Sequence, residues 1–146
     1  MDGGEIRSEI IRQHAELREL IKEIEPLAKR FEQSAGDASS IENQLLKLGS
    51  ALYEKFDAHL ESEEGLLEPV LRKTGPEGER LAHRLRDEHR EQRELLRYLI
   101  GRLEQHPEPT ILIAREIQNF AGYLQVEMAH EEKTMLSVTV LGGTSD

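Results

Sequence analysis

The chain has 146 residues, with 19 Lys and Arg against 29 Asp and Glu, a net charge of −10, and neither cysteine nor tryptophan. That length is one domain with a real core, and the acidic balance argues against a general nucleic-acid or anionic-membrane binder, which needs surplus cations. The absence of thiols excludes a disulfide scaffold, Cys-ligated zinc or iron–sulfur sites, and thiol catalysis.

Four helices are expected, over residues 4–33, 40–73, 77–105 and 109–138, with 139–146 as a flexible tail. Gly- and Pro-containing breaks at 34–37, 74–78 and 106–109 separate them. The first carries Ile6, Ile10, Leu17, Ile21, Ile24, Ala28 and Phe31 at helical spacing, with Pro26 expected to kink it. In the second, Leu52, Phe56, Leu66 and Val70 define the inward face, and Pro69 should loosen the last turn. The third carries Leu81, Leu85, Leu96, Leu99 and Leu103; the fourth Ile113, Ile117, Phe120, Leu124 and Val138. Four amphipathic helices on short connections predict an all-α, up-down-up-down antiparallel four-helix bundle in one domain, residues 1–146. The first ten residues lack a basic start followed by an apolar run, and no stretch reaches the ~18 apolar residues of a membrane span. A soluble, cytoplasmic protein is the expectation.

The apolar stripes are interrupted in a regular way. At ~100° per residue, His14 falls inside the inward arc of the first helix, His59 and Glu63 in that of the second, His89 in that of the third, and Glu127 and Glu131 in that of the fourth. In an antiparallel bundle all six fall in one layer about two turns thick. The sequence also nearly repeats itself. H-x-E-x-R-E-L starts at both His14 and His89, and the Glu63-Glu64 pair aligns with Glu131-Glu132. Two pseudo-symmetric hairpins are therefore expected, one supplying His14, His59 and Glu63, the other His89, Glu127 and Glu131. Glu61, Glu64 and His83 are expected to point outward, and His106 to sit in a turn.

A single inward His is ordinarily a satisfied core residue. Six ionisable groups in one layer are different, because burying each uncompensated charge costs several kcal/mol. No Lys or Arg shares the centre of the inward arcs, so a multivalent cation is the natural counter-charge. Residues at i and i+4 ligate together, as His59 with Glu63 and Glu127 with Glu131. Six ligands suit two ions better than one, with Glu63 and Glu131 as the bridging candidates. Without thiolates, iron, manganese and zinc remain. His130 is an alternative fourth-helix ligand, since Glu127-x-x-His130 is similar to the Glu-x-x-His pair of ferritin-like sites, though it lies about 90° off the stripe centre. Tyr123 and Thr134 are candidates for supporting the ligands from behind.

The ordered set His14, His59-x-x-x-Glu63-Glu64-x-x-Leu67, His89 and Glu131-Glu132 resembles the hemerythrin-like, or HHE cation-binding, family over nearly the whole chain. The departure is Glu127, where that family usually has histidine. The resemblance implies two iron ions (Fe2+/Fe3+) with an oxo or hydroxo bridge, and a function in binding or reacting with dioxygen, peroxide or nitric oxide, or in sensing iron or redox state. With Glu127 as an anionic ligand, the site is expected to lean toward the oxidised state. The third helix has Leu85 and Arg93, not a second His, one turn from His89, which speaks against reversible oxygen carriage. Two other readings stay open: a peroxidase- or oxidase-type enzyme with a carboxylate-rich site, and a metal-free interaction bundle. No nucleic-acid or membrane partner is expected.

Overall fold

A computed structural model describes residues 2–33, 39–105 and 110–141. The breaks expected at 34–37 and 106–109, with His106, and the last five residues lie outside the described residues. The described chain is helical: α1 (Gly3–Gln33), α2 (Ser39–Ser62), a π turn (Glu63–Leu67), α3 (Glu68–Arg72), α4 (Pro76–Gln105), α5 (Thr110–Lys133) and a short α6 (Val138–Leu141). α2, the π turn and α3 run on without interruption, so the architecture is a bundle of four long helical rods. α1 packs on α2 and α5, and α4 packs on α2, α3 and α5. No described helix is long and apolar enough to cross a membrane.

α1 starts on a reciprocal cap. The Asp2 carboxylate accepts from the Glu5 N–H at 2.8 Å, and the Glu5 carboxylate accepts from the Asp2 N–H at 2.9 Å, so two otherwise unpaired donors are satisfied. The helix continues through Pro26, which lies on the exposed side. Its inward residues are those the periodicity predicts, Ile6, Ile10, His14, Leu17, Ile21, Ile24, Ala28 and Phe31, all buried. Each large aliphatic among them contributes about 1.5–3 kcal/mol by leaving water. The α3–α4 connection turns on Gly75, whose φ of 98° lies in the left-handed region that favours glycine. Pro76 then opens α4 with a φ already suited to a helix start.

Two expected elements differ. The second helix is not one α-helix over 40–73. The π turn holds an extra residue per turn, so the inward stripe slips by one position beyond Glu63. Leu67 and Leu71 are fully buried, and Leu66 and Val70 are only half-buried, the reverse of the expectation. Pro69, which cannot donate to an upstream carbonyl, sits in the first turn of α3 directly after the π turn. The fourth helix ends at Lys133 rather than 138. Part of the expected tail is structured: α6 carries Leu141, which is buried against the cluster containing Ile6 and Leu71.

The core is in two blocks. The larger joins Leu17 to Phe31 of α1 with α2, α4 and α5, around Tyr53, Phe56 and Phe120. The smaller joins Ile6, Ile10, Leu67, Leu71, Leu81, Leu85, Met135 and Leu136. Arg7 Nε donates to the Leu136 carbonyl at 2.8 Å and ties α1 to the turn after α5. Along each rod, the polar layer predicted from sequence falls between these two blocks.

Candidate metal centre

His14, His59 and His89 are 0%, 5% and 2% exposed and Glu63 is 1% exposed; Glu131 is half-buried beside them. One donor atom from each of His14, His59, Glu63 and Glu131 lies within 4.8 Å of every other. His14 Nε2 is 2.9 Å from Glu131 Oε1, and His59 Nε2 is 3.1 Å from Glu63 Oε2 and 3.9 Å from Glu131 Oε1. His89 reaches the same carboxylate from the other side, its Nε2 2.8 Å from Glu63 Oε1. Glu63 and Glu131 meet at the centre, one oxygen of each within 4.8 Å of the other. The π turn begins at Glu63, so the local widening of the helix falls on the residue that touches both sides of the cluster.

The outer nitrogen of each ring is held. His59 Nδ1 donates to Gln13 Oε1 at 2.7 Å. His14 Nδ1 donates to Glu132 Oε2 at 2.7 Å, and Arg18 donates to both oxygens of that carboxylate at 2.9 and 3.2 Å. His89 Nδ1 donates to Glu64 Oε2 at 2.9 Å, and Arg93 forks onto both Glu64 oxygens. The two chains His14–Glu132–Arg18 and His89–Glu64–Arg93 are pseudo-symmetric copies. With Nδ1–H engaged outward, Nε2 of all three rings is aimed at the centre, as in metal-ligating histidines.

These partners were not found from sequence, and Glu64 was placed outward. It is about one-third exposed, but its carboxylate bends back onto His89. A signal existed: each repeated His is followed four residues later by Arg, and Glu63 and Glu131 are each followed by a second Glu. His14 of the first hairpin meets Glu131 of the second, and His89 meets Glu63, so the inward glutamate of each hairpin touches a histidine of the other.

The charges confirm how crowded the centre is. Burial works against Glu63, yet the Glu131 carboxyl and the His59 and His89 imidazoles around it hold its carboxyl well below the usual range. Burial and the Glu63 charge hold the Glu131 carboxyl well above it, so this pair keeps one proton. Burial lowers His14 despite Glu132. His89 is raised, because Glu63 and Glu64 together outweigh its burial.

The remaining predicted residues are less central. Glu127 is half-buried and lines a small cavity of about 20 Å³ with Glu63, Glu88, His89, Glu131 and Met128. It is outside the four-residue cluster. His130 is exposed, and its backbone carbonyl accepts from the Thr134 hydroxyl at 3.0 Å. Thr134 thus turns back on its own helix rather than supporting a ligand. The Tyr123 hydroxyl accepts from Gln92 Nε2 at 3.1 Å at the outer edge of the cavity. His83 and Glu61 are exposed, as expected.

The residues fit a cation. Glu63 Oε2 is buried with no hydrogen-bond partner, 3.1 Å from an imidazole nitrogen whose proton is on the far side of the ring. Nitrogen and carboxylate donors converge without a thiolate, a donor set suited to first-row divalent and trivalent ions. A four-helix bundle with a buried His and Glu cluster defines a class of cation-binding proteins. The family model of the hemerythrin HHE cation-binding domain matches residues 5–138, and the chain belongs to that family. No curated protein and no solved structure matches it significantly.

Proposed function

We propose that this chain is a cytoplasmic non-haem metal protein holding two iron ions in the buried layer, which binds or reacts with dioxygen, peroxide or a similar small oxidant, or reports iron or redox state. The observation that carries this reading is the convergence of three outward-anchored imidazoles on the Glu63 and Glu131 carboxylates. His14, His59, Glu63 and Glu131 would hold one ion; His89, Glu127, Glu63 and Glu131 the other. Bound iron supplies redox chemistry and coordination positions open to a small molecule.

The chain's own residues do the rest. Glu132 and Glu64, clamped by Arg18 and Arg93, fix the rings of His14 and His89. Glu63 and Glu131 lie between the two groups of imidazoles. The cavity beside Glu127 is the size of one water molecule, and Phe56, Leu124 and Met128 close its apolar side. The carboxylate at Glu127 favours the higher oxidation state, which supports a peroxide- or dioxygen-consuming enzyme as the second reading.

Elemental analysis of the purified protein, taken with its absorption spectrum, tests the proposal. About two irons per chain with near-ultraviolet charge-transfer bands support it. Absence of bound metal, with stability indifferent to chelator and to added iron, leaves a metal-free interaction bundle. Continued consumption of peroxide or dioxygen with an electron source selects the enzyme; a single stoichiometric change selects the sensor.

A further inference from the structure

The repeat that pairs His14 with His89 and Glu63 with Glu131 also pairs their neighbours. Gln13 precedes His14 as Glu88 precedes His89, and His59 stands four residues before Glu63 as Glu127 stands before Glu131. Between α1 and α2 these two positions form a neutral pair, Gln13 accepting from the His59 ring at 2.7 Å. Between α4 and α5 the same positions hold two half-buried carboxylates, Glu88 and Glu127, on one water-sized cavity. Glu63, His89 and Glu131 line it too, with His59 reaching it from α2, and no Lys or Arg does. Glu63 stands between the two halves: its Oε1 faces His89, and its Oε2, the one buried side-chain oxygen without a hydrogen-bond partner among the described residues, faces His59 at 3.1 Å. Four carboxylates and two imidazoles facing a small polar space are unfavourable until a cation neutralises them.

We propose that the centre is chemically asymmetric, with Glu88 as an additional ligand of the α4/α5 position. That position, with His89, Glu88, Glu127, Glu63 and Glu131, is oxygen-rich; the α1/α2 position, with His14, His59, Glu63 and Glu131, is nitrogen-rich. The assignment rests on the dinuclear reading above. One imidazole among carboxylates is a hard donor set suited to Mn2+, and two imidazoles suit Zn2+ or Fe2+ better. The two positions therefore accept different ions, and a mixed centre assembles from a mixture of metals.

The test uses the full chain stripped of metal, given one equivalent of Zn2+ and then Mn2+. Retained metal is read by elemental analysis after desalting. Mn2+ affinity is read from the loss of the free-ion paramagnetic resonance signal, and Zn2+ affinity by competition with a chromogenic chelator. The expected wild-type result is one Zn2+ and one Mn2+ per chain. Glu88→Gln should weaken Mn2+ about tenfold or more and leave Zn2+ within about twofold, with an unchanged circular dichroism spectrum. The reciprocal Gln13→Glu keeps an acceptor for His59 and adds a carboxylate to the other half, so it should let Mn2+ compete for both positions. The asymmetry is overturned if Glu88→Gln moves both ions equally or neither, or if Gln13→Glu leaves Mn2+ uptake unchanged. Two identical ions of equal affinity in the wild type overturn it while leaving the dinuclear reading intact. A single ion of any kind overturns both, and a chain that binds no cation overturns the proposed function itself.

Discussion

The sharpest test of how the centre is built is Glu132→Ala. His14 is fully buried, and its Nδ1 is paired with Glu132 Oε2 at 2.7 Å. Truncating Glu132 strands that donor inside the core, at a cost of about 1–3 kcal/mol of metal-free stability. The ion pair behind it is worth less. The Glu132 and Arg18 side chains are 26% and 38% exposed, and a solvent-screened pair of this kind contributes under ~1 kcal/mol. Arg18→Ala should therefore destabilise the metal-free protein by less than half as much as Glu132→Ala. Losing the group that orients a ligating histidine typically weakens metal binding 10–100-fold, or about 1.4–2.8 kcal/mol at 1.4 kcal/mol per decade. Glu132→Gln keeps an acceptor for Nδ1 and should recover most of both losses. The assays are denaturant unfolding of the metal-free protein and chelator competition for the loaded one. Equal effects of Glu132→Ala and Arg18→Ala would refute the reasoning. So would a loss of stability with metal affinity untouched, since that outcome makes Glu132 a structural contact only. Glu64→Ala and Arg93→Ala should reproduce the pattern at His89.

Other outcomes follow from the same geometry. Glu131 and His89 are both raised, so each keeps its proton to higher pH than an ordinary carboxyl or imidazole does, and a metal ion must displace it. Metal uptake in mildly acidic solution should therefore release protons. Affinity should rise as pH increases, because the competing protons leave on their own as the solution passes the raised His89 value. Calorimetry in buffers of different ionisation enthalpy measures this, and pH-independent uptake would contradict the assigned protonation. Glu127→His should move the metal content and the absorption spectrum toward the usual family pattern; identical metal content and spectra in the variant would remove Glu127 from the ligand set. Gly78→Ala should cost about 1–3 kcal/mol or more, because its Cβ would lie 2.0 Å from the Leu71 backbone carbonyl oxygen. Thermal unfolding of the variant checks it, and an unchanged midpoint would contradict the packing at the α3–α4 junction.

Much of the protein was legible in the chain itself. The inward face of α1 follows directly from its apolar spacing, because every side chain on a regular helix inherits its direction from position alone. The same rule put His14, His59, Glu63, His89 and Glu131 at one depth, and the structure brings these five into contact with one another. Helical phase failed where the helix itself changed. The π turn over Glu63–Leu67 slipped the stripe and exchanged Leu66 and Val70 for Leu67 and Leu71. It failed again for long side chains. Glu64 and Glu132 leave their helices outside the inward arc, yet each has enough reach to return to a histidine on the neighbouring rod, where an arginine holds it. Periodicity assigns a residue to a face; it does not say which helix lies across from that face. Only the tertiary packing decided that His14 meets Glu131 and His89 meets Glu63, and only it turned the Glu127 substitution into one wall of a cavity shared with Glu88. The sequence by itself determined which groups of the regular helices face inward and at what level, because those depend on local geometry. Their partners, and with them their charge states, depend on distances between helices and so came from the fold.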